Sequence, residues 1–242
     1  MKTLRSVLAS IGLLEASRSL KRQMHASGLL PWRPLVPEEA FSSSIRNGLR
    51  TLQEMGHDFG DYVEFGVSRG TSMACSAAEI RKAGLRMRLI GFDSFEGLGD
   101  EAEDNGWSKG AFASTEAATR RYLKSKQVDM ADVELVKGWF CDTATLATRQ
   151  RLGIEKASLL MIDCDTYEAS KDALDFASAL LKDDMVVVFD DWGWSEKMNK
   201  RGQKEAFGEF LSANRSITSQ PLPAYSDDAR LFLLHRSAGS AG

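Results

Sequence analysis

Four carboxylates in this chain stand where apolar runs end. The run LIGFD closes on Asp93, LLMID on Asp163, and MVVVFDD on the adjacent pair Asp190 and Asp191. A run that only fills a core has no use for a terminal acid, and neighbouring like charges repel. If the runs ending in Asp163 and Asp190 are adjacent strands, they lie about 4.8 Å apart and both carboxylates reach one point. Three acids that close repel severely unless a cation sits among them or one keeps its proton. Ligation by oxygen alone, with no histidine or cysteine nearby, suits magnesium, calcium or manganese.

An earlier run, YVEF, carries Glu64 and opens into the turn GVSRG. Gly66 and Gly70 permit a tight turn and close backbone approach to a ligand, or serve only as a structural turn. The three-glycine dinucleotide pattern is missing, which disfavours a pyrophosphate site and with it a nicotinamide-dependent dehydrogenase. Asp93 follows at roughly the spacing of a ribose-binding acid. The alternative for Asp93 is a helix-cap aspartate. Asp165 stands three residues before Glu168, as a helix N-cap with its reciprocal acid would, and capping accounts for it. Asp191 could instead cap a turn or pair with Lys197, Lys200 or Arg201. The look-alike pair Asp183-Asp184 precedes its run, points away from the others and reads as a solvated turn.

The elements that must position these acids are legible as alternation. Runs at 62–66, 86–93, 133–140, 159–165 and 185–191 are separated by helical patterns at Ser72–Lys82, Thr115–Lys126, Thr143–Arg151 and Glu168–Leu181. Strand-helix alternation predicts βαβ units and an α/β fold with a parallel sheet covered on both faces. Such strands are apolar throughout, as these are. A further helix near Gln203–Leu211 precedes two strand candidates, near Ile217–Leu222 and Arg230–His235, joined by a PLPAY turn. The expected sheet has seven strands, five parallel and then an antiparallel hairpin. In open parallel sheets, ligands bind beyond the carboxyl ends of the strands, where all the acids above lie.

The 242 residues are 43% hydrophobic and 27% charged, with a formal net charge of -3. Nothing there calls for nucleic acid or an acidic surface as partner. Cys75, Cys141 and Cys164 are scattered and odd in number, which fits reduced thiols in a cytoplasmic protein. His25, His57 and His235 adjoin none of the acid-ended runs, so a Ser-His-Asp relay is not expected. Leu4, Val7, Leu8, Ile11 and Leu14 recur at helical spacing near the N-terminus, with a targeting segment as the alternative. No run approaches membrane-spanning length. Prolines in LLPWRPLVPEE break the helix, giving a helical extension over 1–58 before the domain at 59–238. Its amphipathic segments are compatible with a homodimer.

The series VEFGVSRG, GFDSFEGL, VELVKGWFCDT, IDCDTYEASKDAL, VVVFDDW and GQKEAFGEF resembles the successive motifs of the macrocin O-methyltransferase (TylF-type) family, over roughly residues 60 to 213. The resemblance implies a Rossmann-like class I fold that binds S-adenosyl-L-methionine and a magnesium-dependent methyl transfer to a sugar hydroxyl of a small molecule. It implies that Glu64, Gly66 and Gly70 contact the methionine end of the cofactor and that Asp93 binds its ribose. Ser94 and Trp139 or Phe140 would lie near the adenine. Asp163, Asp190 and Asp191 would bind Mg2+ or another hard divalent cation, with Asp163 also the general base. The chain departs from the family in having Lys182-Asp183-Asp184 where Pro-Gly-Gly is common, and Trp192 where tyrosine is frequent.

On this reading Trp107, Lys109 and Phe112 lie in a stretch able to close as a lid. Trp192 and Trp194 form either a sugar-stacking wall or ordinary core. The rivals are a catechol- or phenol-type O-methyltransferase using the same metal site, and a non-catalytic binding module on the same fold.

Overall fold

The structure, a computed structural model, describes residues 13–100, 102 and 106–237. Two helices come first, α1 (Leu13–Ala26) and α2 (Glu38–Glu54), followed by β1 (Asp61–Phe65), α3 (Thr71–Lys82) and β2 (Leu89–Asp93). Then come α4 (Glu116–Ser125), β3 (Val133–Lys137), α5 (Phe140–Thr143), α6 (Leu146–Leu152), β4 (Ala157–Ile162) and α7 (Tyr167–Ser178). The chain ends with β5 (Asp184–Phe189), α8 (Trp194–Lys197), α9 (Gln203–Ala213), β6 (Ile217–Leu222) and β7 (Arg230–Arg236).

The seven strands lie in the order β3-β2-β1-β4-β5-β7-β6. β1 to β5 are mutually parallel, and β7 runs antiparallel to both β5 and β6. This is the expected sheet. Its central strands are buried along their whole length because helices cover both faces. One face packs Phe65, Phe92, Ile162 and Phe189 against Leu174 and Phe176 of α7 and Phe207 and Phe210 of α9. The other packs Tyr62, Leu159 and Val186 against α2 and α3. The edge strand β6 is mostly exposed and carries Pro221, which cannot donate to another ladder.

Sequence order reverses between β1 and β4: the chain moves outward through β2 and β3, then crosses back. That reversal opens a crevice above the carboxyl ends of β1 and β4. Register puts the acids there. Ile162 pairs with Phe189, so Asp163 and Asp190 are the next residues on neighbouring strands.

α2 buries Phe41, Ile45, Leu49 and Leu52 at helical spacing, so the second helix of the 1–58 segment shares the core under the sheet. Leu4, Val7, Leu8 and Ile11 lie outside the described residues, whereas Leu14 falls in α1. The C-terminal carbonyls of α1 are met by two cations: Arg69 donates to the His25 carbonyl and Arg121 to that of Ser27. No helix among the described residues is long and apolar enough to cross a membrane.

Several local expectations are corrected. The run 133–140 is a strand only to Lys137, because Gly138 turns at φ 145 and Trp139 caps α5. The helix expected at Thr143–Arg151 is Leu146–Leu152, capped by Thr145, and a separate short helix, Phe140–Thr143, precedes it. Asp183 is half-exposed just before β5, as expected of a solvated turn, but both acids of the pair have partners. Lys156 donates to Asp183 at 2.9 Å, and His235 lies 2.9 Å from Asp184, at the end of the sheet away from the crevice.

Candidate active site

A cavity of about 440 Å3 opens above the carboxyl ends of β1, β2, β4 and β5. That volume suits a nucleoside-sized ligand. Its walls come from four places. The strap 32–36 and Phe41 of α2 form an apolar side, and the turn after β1 supplies Gly66 to Arg69. Trp107 and Phe112 close a third side, and the acids with Trp139 and Phe140 the fourth. The strap is held by the Trp32 indole, which donates to Thr71 Oγ1 at 2.9 Å, and by the Arg69 guanidinium 5.0 Å from the Trp32 ring.

Asp163, Asp190 and Asp191 each offer one carboxylate oxygen, all within 4.8 Å of one another. Their surroundings differ in an informative way. Asp190 Oδ1 accepts from the Tyr225 hydroxyl, and Oδ2 has no hydrogen-bond partner among the described residues. Asp191 Oδ2 accepts from the Asp165 amide at 3.0 Å and, more weakly, from Gln203 Nε2 at 3.4 Å. Asp163 has no hydrogen-bond partner on either oxygen among the described residues; its amide is held by the Phe65 carbonyl at 2.9 Å. Burial first, then repulsion from neighbouring acids, pushes all three carboxyls up: Asp163 well above the usual range beside Asp190 and Asp191, Asp190 to about 8 beside Asp191, and Asp191 to about 6 facing Asp228. Oxygen-only donors that converge at a charge cost suit a hard divalent cation, which would relieve the repulsion.

Asp165 is a fourth member that sequence reasoning assigned elsewhere. Thr166, not Asp165, caps α7, accepting from the Ala169 amide. Asp165 turns at φ 60 toward Asp191, and burial with the charges of Asp191 and Asp190 raises its carboxyl well above the ordinary range. Asp191 forms no ion pair with Lys197, Lys200 or Arg201; Lys197 pairs with Asp228 instead.

Gly66 sits at φ 93, and a Cβ there would fall 1.6 Å from the Asp163 carbonyl oxygen. The glycine is therefore needed for the β1 and β4 ends to meet. Asp93 accepts from the Ser68 amide at 2.7 Å and the Phe95 amide at 2.6 Å, tying the turn after β1 to that after β2. Both Asp93 and Ser94 line the cavity. Glu64 and Gly70 do not. Glu64 lies fully buried behind the wall, accepting from Tyr62 at 2.7 Å and from Ser72, and burial pushes its carboxyl up to about 8. Gly70 begins α3 against Leu123 and Thr119.

The two tryptophans separate. Trp192 packs among Phe189, Phe207 and Phe232 as core. Trp194 stacks on Trp107, with ring centroids 4.7 Å apart, and Trp107 also meets Phe112 edge-on.

Comparison with known proteins adds the following. The family model described as macrocin-O-methyltransferase (TylF) matches residues 44–219. The O-methyltransferase NovP superposes with a TM-score of 0.68 at 22% identity, covering 90% of this chain and 88% of that one. The calicheamicin methyltransferase CalS11 superposes with a TM-score of 0.63 at 20% identity, covering 81% and 77%. An S-adenosylmethionine-dependent methyltransferase from Clostridium acetobutylicum gives 0.52 at 11% identity, covering 84% and 94%. These likenesses show the class I methyltransferase fold. No curated protein sequence matches the chain.

Proposed function

Because the chain belongs to the macrocin O-methyltransferase (TylF) family and is an S-adenosylmethionine-dependent O-methyltransferase, we propose that it methylates a sugar hydroxyl at a divalent-cation site. The acceptor in this reading is a sugar of a glycosylated small molecule. CalS11 is a TDP-rhamnose 3'-O-methyltransferase, and a sugar acceptor is carried from it to this chain as part of the proposal. The observation that carries the reading is the convergence of one oxygen each from Asp163, Asp190 and Asp191 on the cavity beside the Gly66 turn.

Bound S-adenosylmethionine would supply an electrophilic methyl, and a hard divalent cation would lower the pKa of an acceptor hydroxyl that is otherwise a poor nucleophile. The chain does the rest. Asp190 and Asp191 would each present one oxygen to hold the cation. Asp163, with both oxygens free, serves as ligand and accepts the hydroxyl proton. Asp93 takes the ribose hydroxyls, and Ser94, Trp139 and Phe140 wall the adenine. Gly66 with Val67 and Ser68 lies along the methionine end. Glu64 and Gly70 act from behind, Glu64 by holding Ser72 and Gly70 by starting α3. Trp107 and Phe112 exclude water from the reacting atoms, which favours loss of the sulfonium charge.

The test is binding of isotope-labelled S-adenosylmethionine followed by transfer to a panel of sugar and catechol acceptors, with and without magnesium. A protein that binds no cofactor, or transfers to catechols alone, would defeat the proposal.

A pH dependence follows from the raised carboxyls. Asp190 at about 8 and Asp191 at about 6 sit above the ordinary value. The cation-free folded protein therefore holds protons that the unfolded chain has released. Stability from these groups is complete below about pH 4 and is lost as pH rises toward about 8. Thermal melts should show a larger increase in Tm on adding magnesium at pH 8 than at pH 6. Equal increases would mean that these acids do not meet the ion.

A further inference from the structure

The acid pair after β5 is held from two elements that sequence proximity does not connect. Gln203, the first residue of α9, is 1% exposed. Its Nε2 donates to the Ile162 carbonyl at 3.0 Å and reaches Asp191 Oδ2 at 3.4 Å, while its Oε1 accepts from the Asp191 amide at 3.0 Å. One side chain thus ties the end of β4 to the residue that follows β5. Tyr225, in the turn between β6 and β7, donates its hydroxyl to Asp190 Oδ1, and its ring packs edge-on against Phe41 at 5.4 Å. Neither side chain lines the cavity. Tyr225 also lies beyond the segment 44–219 that the family model matches.

We infer that Gln203 and Tyr225 are positioning residues for the cation site: each occupies or steers one carboxylate of the pair so that a single oxygen of each faces Asp163. The physical reason is geometric. The strand β5 ends at Phe189 and the chain bends through Asp190 and Asp191, so no ladder fixes where the two carboxylates point. Bringing one oxygen of each within reach of Asp163 means turning both against their mutual repulsion. Nothing in the local sequence Asp190-Asp191-Trp192 supplies that restraint. The Tyr225 hydroxyl holds Asp190 from the hairpin turn, and Gln203 holds the Asp191 backbone and, beside the Asp165 amide, its Oδ2. Each donor also consumes one lone pair, which directs its carboxylate to bind through one oxygen rather than two. Donors to ligating carboxylates commonly matter to affinity for this reason.

The inference rests on the cation reading above, and its test separates the two. Full-length wild type, Tyr225→Phe and Gln203→Met are saturated with S-adenosylhomocysteine and titrated with manganese, free ion being read by electron paramagnetic resonance. Tyr225→Phe keeps the ring on Phe41 and removes only the hydroxyl, so its fold is safe even if Gln203→Met is poorly soluble. The expected result is one manganese ion on wild type, a Kd weaker by about tenfold or more in each variant, and S-adenosylhomocysteine affinity within about twofold. Equal manganese affinity in wild type and Tyr225→Phe would overturn the positioning role while leaving the cation site standing. Parallel loss of S-adenosylhomocysteine affinity in Tyr225→Phe would also overturn it, as a general structural effect. A wild type that binds no manganese would overturn both readings together.

Discussion

Replacing Asp163 with asparagine is expected to lower kcat by about a thousandfold or more, while S-adenosylhomocysteine binding stays within about threefold of wild type. The substitution is nearly isosteric, so the β1–β4 junction keeps its shape. What it removes is, of the three clustered acids, the one with no hydrogen-bond partner on either oxygen among the described residues. A general base alone accounts for about a hundredfold to ten-thousandfold in rate, and Asp163 is assigned ligation as well. The same change relieves repulsion, because Asp190 and Asp191 both raise the Asp163 carboxyl. Cation-free Asp163→Asn should therefore melt at a higher temperature than cation-free wild type, as groups held against their own stability for function do. Steady-state transfer of labelled methyl and a calorimetric melt read the two effects. A kcat within tenfold of wild type would place the proton acceptor elsewhere.

Gly66→Ala should destabilise the fold by about 3 kcal/mol or more, since it forces a Cβ into a space where none fits. The added carbon would meet the Asp163 carbonyl oxygen at 1.6 Å, and the φ of 93 is itself strained for alanine. Neither side can yield cheaply. The Gly66 amide donates to Phe92 at 3.0 Å, and the Asp163 amide donates to Phe65 at 2.9 Å, so three strands are locked at this point. For a chain of this size the loss corresponds to a fall in Tm of roughly 6 °C or more. Thermal unfolding followed by circular dichroism measures it. A melting temperature unchanged to within a degree or two would mean that the strand ends can part without cost, contrary to the register described. Any loss of activity in soluble Gly66→Ala should accompany displacement of Asp163, not of Asp93.

The sheet was legible because its central strands are buried on both faces and so read as unbroken apolar runs between helical patterns. Strand ends were legible for the same reason: Asp93, Asp163 and Asp190 interrupt those runs at positions a core would not choose. What local rules misjudged were residues whose partners lie far along the chain. Asp165 has the spacing of an N-cap, yet the chain turns at φ 60 and Thr166 takes that role. Asp183 and Asp184 look like a solvated pair until Lys156 and His235 arrive from other elements. Gln203 lies in the quoted GQKEAFGEF motif and Tyr225 in the PLPAY turn, but neither segment tells what its side chain touches. Their meaning depends on α9 and the hairpin folding back onto β5, which no short stretch of sequence declares. Glu64 was flagged by its place at a strand end, but full burial puts it behind the cavity wall rather than on it.

The central claim is that Asp163, Asp190 and Asp191 share one divalent cation beside the cofactor. A crystal grown with S-adenosylhomocysteine and manganese, with anomalous data collected at the manganese edge, tests it most directly. A single strong peak bonded to one oxygen from each of the three carboxylates is expected, with Tyr225 still donating to Asp190 and Gln203 still holding Asp191. An empty cluster with the three acids hydrogen-bonded to one another through retained protons would contradict it.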